Sequence, residues 1–352
     1  MTIVLPGIAP NPIGGYKVAF EYANAMSRSG NAVRVLQAWD FKGGPRRSTL
    51  LQRVRRLARL KDVVSNKRPQ WFELDAEIQV INRYTARAAD VDGADIIVAT
   101  AARTAGFVAA ACDLYGVPGA YFIQHYEEWD LPAAKLRETW KLPLHKIVIA
   151  PWLVEVGESM GVTTSLVPNA IDPLEFPPGP PVKDRPLLVA AMLSPMPFKR
   201  ADLICEMFCR VLDANPRATG VAFGVGTRPN ELDPRVEYVQ RPSRAQLRHV
   251  YQNARIYVCA SDAEGWHLPP AEAMSSGAAV VSTEIGGVTA YAAGSARFVE
   301  PGDVDGLAQA VVEVLSDERL NSHLANLGSL AMKSYSPTRA AESFEKEIRS
   351  LL

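Results

Sequence analysis

The stretch that most limits what this chain can become runs from Ile256 to Ser282. Ile256 to Ala260 is a short unbroken apolar run, the pattern of a strand covered on both faces. Ser261-Asp262-Ala263-Glu264-Gly265-Trp266-His267 follows as a turn. Pro269 and Pro270 then sit where a helix begins, because its first positions have no intrahelical N–H bond to lose. Gly277 ends that helix, and Ala279-Val280-Val281-Ser282 reads as the next strand. Strand, turn, helix N-terminus and strand form the repeating unit of a parallel α/β sheet. Such a turn suits an anion, since the free N–H groups of Trp266, His267 and Leu268 and the helix dipole converge on one place. Glu264 and Glu272 bracket it. A carboxylate is a poor phosphate ligand but a good acceptor for paired hydroxyls. A diphosphate on the amides with a sugar hydroxyl on each carboxylate thus describes a nucleotide-sugar site. The residues alone equally allow Glu264 as an ordinary loop residue and Glu272 as a solvated helix residue.

The same residues resemble a known family. Glu264-Gly265, an aromatic residue, Leu268-Pro269, then Glu272-Ala273-Met274, a small residue and Gly277 before a strand are similar to the signature of glycosyltransferase family four. These are retaining enzymes of the GT-B fold, in the glycogen-synthase-like group, that use sugar nucleotides. The resemblance implies an α/β chain with two Rossmann-like doubly wound domains facing a cleft. It implies that Glu264 faces the donor sugar and Glu272 the ribose hydroxyls. Trp266-His267 departs from the family's usual Phe-Gly. His267 brings a side chain to a turn normally kept bare, which leaves the donor's identity open.

The length, 352 residues, suits two domains. Formal net charge is zero, so global charge points to neither nucleic acid nor membrane. Cys112, Cys205, Cys209 and Cys259 all sit in apolar contexts and form no Cys-x-x-Cys pair, which reads as buried free thiols in a reducing compartment. No charged and apolar leader opens the chain at Met1. The longest apolar stretch, Ile96 to Ala111, carries Arg103 inside it and is no membrane span.

In chain order, Thr2 to Leu5 reads as a strand, Pro6 to Tyr16 as a loop, Val18 to about Gly30 as a helix, and Ala32 to Leu36 as a second strand. Gly14-Gly15 lies at the strand-to-helix turn, where missing side chains let backbone approach a ligand. It reads equally as a simple turn, and its position resembles the family's first glycine loop. From Lys42 to Arg68 the chain holds Lys42, Arg46, Arg47, Arg53, Arg55, Arg56, Arg59, Lys61, Lys67 and Arg68 against a single acid, Asp62. Leu50, Leu51, Val54, Leu57 and Ala58 fall on one helical face there, so 46–61 reads either as a helix on an anionic membrane or as one packed on the sheet with a solvated basic side.

Asp95 to Thr100, Gly119 to Ile123 and Lys146 to Ala150 read as strands, with a helix at Ala102 to Leu114. After Ile123 a buried strand releases Gln124, His125, Glu127 and Glu128 into a loop, at the carboxyl end where open α/β sheets bind ligands. The family resemblance places a His here, near the donor sugar. Thr139 to Leu144 and Pro151 to Leu153 are similar to members acting on bacterial cell-surface polysaccharides, rhamnosyltransferases among them. Val167-Pro168-Asn169-Ala170-Ile171-Asp172 resembles the family's interdomain marker, and prolines at 173, 177, 178, 180, 181 and 186 make a stiff connector. The expected boundaries are 1–168 for an acceptor-side domain, completed by a helix over 338–352, and 169–337 for a donor domain.

Leu187 to Ala191, Ala218 to Phe223 and Val236 to Val239 read as strands, with helices at Asp202 to Leu212, Arg244 to Asn253, Leu307 to Leu315, Glu318 to Met332 and Thr338 to Leu351. Where the family has an Arg on the diphosphate this chain has Met192, while Lys199 matches the family's Lys and Arg200 reinforces it. Cations are disfavoured at a helix start unless an anion is near. Arg241 follows a strand end in a loop that the resemblance puts beside the nucleobase. Asp303-Val304-Asp305 matches a metal motif by letters, but it opens a helix and reads as an N-cap.

The expectation is a hexosyltransferase acting from a nucleoside-diphosphate sugar on a glycan, lipid-linked or small-molecule acceptor, with no metal and no cofactor. Its catalytic residues are Glu264, His125 and Lys199. Donor binding falls to Gly14, Gly15, Lys199, Arg200, Arg241, Gly265, Trp266, His267, Leu268 and Glu272. The expected setting is cytoplasmic, at the inner face of the membrane if 46–61 touches anionic lipid, with no nucleic-acid partner. A nucleotide-sugar epimerase or hydrolase on the same fold, or a non-catalytic sugar-nucleotide-binding subunit, remain the alternatives.

Overall fold

The computed structural model describes residues 1–41 and 68–352. The basic stretch over 46–61 lies outside the described residues. The chain divides into two compact units, Met1–Pro168 with Thr338–Leu352, and Asn169–Pro337.

The first unit runs β1 (Thr2–Leu5), α1 (Gly14–Arg28), β2 (Arg34–Phe41), β3 (Gln79–Ala86), β4 (Ile97–Ala99), α2 (Ala102–Tyr115), β5 (Gly119–Ile123), α3 (Ala133–Trp140), β6 (His145–Val148), α4 (Pro151–Ser159) and β7 (Thr164–Leu166). Its parallel sheet has the order β3-β2-β1-β4-β5-β6-β7. β1 and β5 are buried at every residue, as expected of central strands with helices on both faces. α1 turns Val18, Phe20, Tyr22, Ala23 and Met26 to the core at helical spacing. It begins at Gly14, earlier than its apolar stripe suggests, so the Gly14-Gly15 pair forms its first turn.

The second unit runs β8 (Leu188–Met192), a 3-10 turn (Pro197–Lys199), α5 (Ala201–Ala214), β9 (Thr219–Gly224), β10 (Val236–Gln240), α6 (Arg244–Asn253), β11 (Ile256–Cys259), α7 (Leu268–Ser275), β12 (Ala279–Thr283), α8 (Gly286–Ala292), β13 (Arg297–Val299), α9 (Val304–Ser316) and α10 (Glu318–Met332). This sheet is also parallel, in the order β10-β9-β8-β11-β12-β13. One core joins Val189, Val258 and Val281 of the strands to Met207, Phe208 and Val211 of α5 and Leu307, Val311 and Val314 of α9. Each such side chain, fully buried, contributes roughly 1.5–3 kcal/mol. The Asp303 side chain accepts from Gly306 N–H at 2.8 Å and caps α9, matching the reading of Asp303-Val304-Asp305 as a helix start.

The last helix, α11 (Pro337–Arg349), packs on the first unit's sheet. Phe344 stacks on Tyr22 at 4.2 Å and meets Phe122 edge-on at 5.6 Å. In the proline-rich connector Arg185 is buried, and its guanidinium donates to the carbonyls of Pro180, Tyr251, Ala254 and Ser276. Cys112, Cys205 and Cys259 are buried free thiols, but Cys209 is exposed, because α5 turns that side of its face to solvent.

Candidate functional site

In the second unit β8 pairs with β9 on one side and β11 on the other, so strand order reverses between β8 and β11. Ligands of open α/β sheets bind at such a reversal, beyond the carboxyl ends of the strands. The segment after β8 supplies Lys199 and the segment after β11 supplies Glu264. The Lys199 ammonium donates to Glu264 Oε1 at 2.5 Å, and the Ser261 hydroxyl donates to the same oxygen at 3.0 Å. Glu264 is only 7% exposed. Burial alone raises its carboxyl, but the charges of His267 and Lys199 and the hydrogen bonds from Lys199 and Ser261 outweigh it and hold the group below the usual range. Any Cβ at Gly287 would come within 2.3 Å of the Glu264 carbonyl, so α8 can close on the turn only with glycine there.

The turn between β11 and α7 brings Gly265, Trp266 and His267 into buried positions. Trp266 is 2% exposed and packs its ring on Tyr291 at 4.4 Å and Tyr335 at 5.4 Å. It therefore anchors the turn through its side chain and leaves only its backbone for a ligand. His267 is the N-cap of α7, with φ 26°, and its carbonyl accepts from the Tyr291 hydroxyl at 2.9 Å. Its imidazole does not stand over the turn, as a side chain in place of the family's glycine suggested. It folds inward, with Nδ1 3.2 Å from Cys259 Sγ. Among the described residues the N–H groups of Trp266, His267 and Leu268 have no hydrogen-bond acceptor, as is usual for the orphan donors of a helix start.

Glu272 lies one turn into α7 and is 6% exposed, so it is not the solvated helix residue its sequence position allows. The buried Tyr251 hydroxyl donates to its Oε2 at 3.0 Å. Arg200 pairs with Asp202 at 2.9 Å and Asp262 at 3.2 Å. The anion that a cation at the start of α5 calls for thus comes from the chain itself. Arg241 sits on the surface after β10, with its Nε donating to the Val225 carbonyl at 3.3 Å.

In the first unit the Gln124 side chain donates to the Gly15 carbonyl at 2.9 Å, and a Cβ on Gly15 would meet that amide at 3.4 Å. The bare backbone at Gly15 is therefore filled by the chain's own side chain. His125 Nδ1 lies 3.1 Å from the Tyr126 carbonyl, which can only accept, so that nitrogen is the donor of the pair. Its ring meets Trp129 and Trp152 edge-on at 4.4 and 5.8 Å. Glu127, two residues on, is one of the two glutamates of that loop, to which the sequence gives a place but no role. Its carboxylate accepts from Ala102 N–H at 2.7 Å, at the first turn of α2. Burial pushes this carboxyl up to about 7, against the opposing pull of the Ala102 amide. Among the described residues no group of three His, Cys, Asp or Glu side chains is arranged to hold a metal ion.

Residues 184–317 match the family described as Glycosyl transferases group 1. A stretch of 164 residues is 27% identical to the phosphatidylinositol N-acetylglucosaminyltransferase gpi3 subunit of Schizosaccharomyces pombe, covering 44% of this chain and 36% of that one. The chain thus spans little more than a third of the length of the curated relatives it matches. The solved sucrose-phosphate synthase of Thermosynechococcus elongatus matches with a TM-score of 0.78 at 14% identity, covering 99% of this chain and 98% of that one. Anabaena HepE in complex with UDP-glucose matches with a TM-score of 0.74 at 13% identity, covering 100% of both. The fold is GT-B, with two Rossmann-like parallel-sheet domains, and the family match falls within the second unit. Among the described residues no helix is long and apolar enough to cross a membrane.

Proposed function

We propose that this chain is a retaining, metal-independent glycosyltransferase of family four that moves a hexose from a nucleoside diphosphate to a hydroxyl. The observation that carries this reading is the strand-to-helix turn itself. Two buried carboxylates, Glu264 and Glu272, flank three amides that have no acceptor among the described residues, and Lys199 stands against the first carboxylate. The amides take the diphosphate, Glu272 the ribose and Glu264 the sugar. An ammonium has three N–H donors, so Lys199 holds Glu264 and still has two for the departing phosphate. Developing charge on that leaving group is the largest change in the reaction, and preorganised donors stabilise it. On this reading Arg200 and Arg241 line the donor's edge. The first unit, with Gly14, Gly15 and His125 at the carboxyl ends of its strands, takes the acceptor.

The names of similar proteins favour particular substrates. Solved neighbours are complexes with UDP-glucose and UDP, which makes a uridine nucleotide the first donor to try. The curated relatives are named for N-acetylglucosaminyl transfer to phosphatidylinositol, which supports a lipid-linked acceptor and, with it, a peripheral membrane contact through 46–61. Thermal melting with UDP-glucose, UDP-N-acetylglucosamine and their base and sugar variants tests the reading. A donor at 100 times its dissociation constant raises stability by about 2.7 kcal/mol. No shift with any nucleotide sugar, on a folded chain, would end the proposal.

A further inference from the structure

His267 is held where its backbone is strained. A positive φ is strained for a residue with a side chain, and glycine avoids most of that strain. The ring is nonetheless built in. It is 7% exposed and lies between two groups: Cys259 Sγ is 3.2 Å from Nδ1, and Glu264 Oε1 is 3.5 Å from Nε2. The second distance is a charge contact outside hydrogen-bond geometry, so among the described residues the buried Nε2 has no hydrogen-bond partner. A buried ring nitrogen left without a hydrogen-bond partner is costly. The other titratable groups around this cluster are Lys199 on the 3-10 turn, Tyr257 on β11, Glu272 on α7 and Tyr291 on α8.

We infer that the His267 side chain is a positioning residue for Glu264: its imidazole ring, held by the Cys259 sulfur on one side, faces the carboxylate on the other and aligns it with Lys199 for the transferring sugar. This rests on the reading of Glu264 as the donor-sugar carboxylate. The electrostatics agree with the geometry. Burial would raise both the Cys259 thiol and the Glu264 carboxyl, yet His267 opposes this at both, and both lie below their ordinary values. A turn with only glycine there would present the same amides to a phosphate. It would leave Lys199 alone to balance a buried carboxylate. The histidine therefore bears on the sugar end of the site rather than on the phosphate grip.

Two variants separate charge from packing. His267→Gly removes the ring and relieves the backbone. His267→Gln keeps a comparable side chain without the charge. For both we expect folded protein, nearly unchanged affinity for the bare nucleoside diphosphate, and an acid limb of kcat moved up by about one pH unit. That is roughly a tenfold loss of turnover on the acid side and little change above neutrality. A carbon NMR titration of labelled glutamate carboxyls should show Glu264 ionising at higher pH in both variants, a readout that needs no turnover. If the Gln variant follows the parent in both the pH profile and the titration, the ring only packs and the inference is overturned. If the parent transfers no sugar, the proposed function fails, while the titration still decides whether His267 sets the state of Glu264.

Discussion

Glu264 and Glu127 are two carboxyls beyond the carboxyl ends of parallel strands, one strand apart in their place in the sheets, and they end in opposite states. Each follows a fully buried strand, β11 or β5, and each lies by the start of a helix. Burial pushes both carboxyls up. At Glu264 a lysine, a histidine and a serine hydroxyl reverse that push. At Glu127 the main opposing partner is a single amide, while the neighbouring Arg103 donates to Asp130 at 2.6 Å. The carboxyl is left at about 7. Two strand-end carboxyls thus differ, one a fixed anion and the other carrying an exchangeable proton. A cation in contact makes the difference.

The comparison breaks most sharply at Glu264. Glu264→Gln keeps the size and the hydrogen-bonding oxygen but removes the charge that Lys199 and His267 face. If the carboxylate acts as sugar and leaving group separate, turnover should fall by about a hundredfold or more while product-nucleotide affinity stays within a few-fold. Steady-state kinetics with calorimetry of the bare nucleotide measures both. A variant that keeps its turnover and loses nucleotide affinity would reverse the roles given to Glu264 and Glu272.

Glu127 gives the opposite test, on stability. Its carboxyl keeps a proton in the folded state up to about pH 7, while the unfolded chain releases it near 4.5. The native state therefore binds more protons across that interval, and stability attributable to Glu127 falls as pH rises through it. Glu127→Gln still accepts from Ala102 N–H and cannot ionise. Its denaturation midpoint should match the parent near pH 5 and exceed it near pH 8, by on the order of 2 kcal/mol. Equal midpoints at both pH values would mean that Glu127 is solvated and that the contrast with Glu264 is false.

How much of this is legible in sequence depends on range. The strands from Ile256 and Ala279 are readable because a central parallel strand must be apolar on both faces. β3, with only Asn82 and Ala86 buried, is an edge strand of mixed residues and carries no such run. β7 and β13, at three residues each, are too short for any periodicity. The Lys199–Glu264 contact spans 65 residues of sequence. Resemblance names both residues, but only the strand reversal brings them together. Glu127 and Glu128 are neighbours of one type, and which of them caps α2 is settled by how β5 meets β4. The inward turn of His267 depends on one backbone angle that no residue pattern encodes.

Glu272 supplies an intermediate case, and the smallest expected effect. It is as buried as Glu264, and one of its hydrogen bonds comes from the Tyr251 phenol, a neutral donor. Burial raises that phenol well above its ordinary value, followed by the pull of the Glu272 charge, so it keeps its proton at any working pH. A neutral donor can orient a carboxylate, but its contribution changes little as charge develops elsewhere in the reaction. Tyr251→Phe removes the hydroxyl and keeps the ring among Phe176, Phe223 and Tyr257. If Glu272 grips the ribose, which is equally bound before and during transfer, the loss should appear as uniform binding. Donor KM should rise about three- to tenfold, or roughly 1 kcal/mol, with kcat unchanged. Unlike the His267 variants, this one should leave the acid limb in place, because no charge has been removed. A fall in kcat with donor KM intact would move Glu272 from the ribose to the reacting centre, and the difference between a carboxylate held by cations and one held by a phenol would lose its functional meaning.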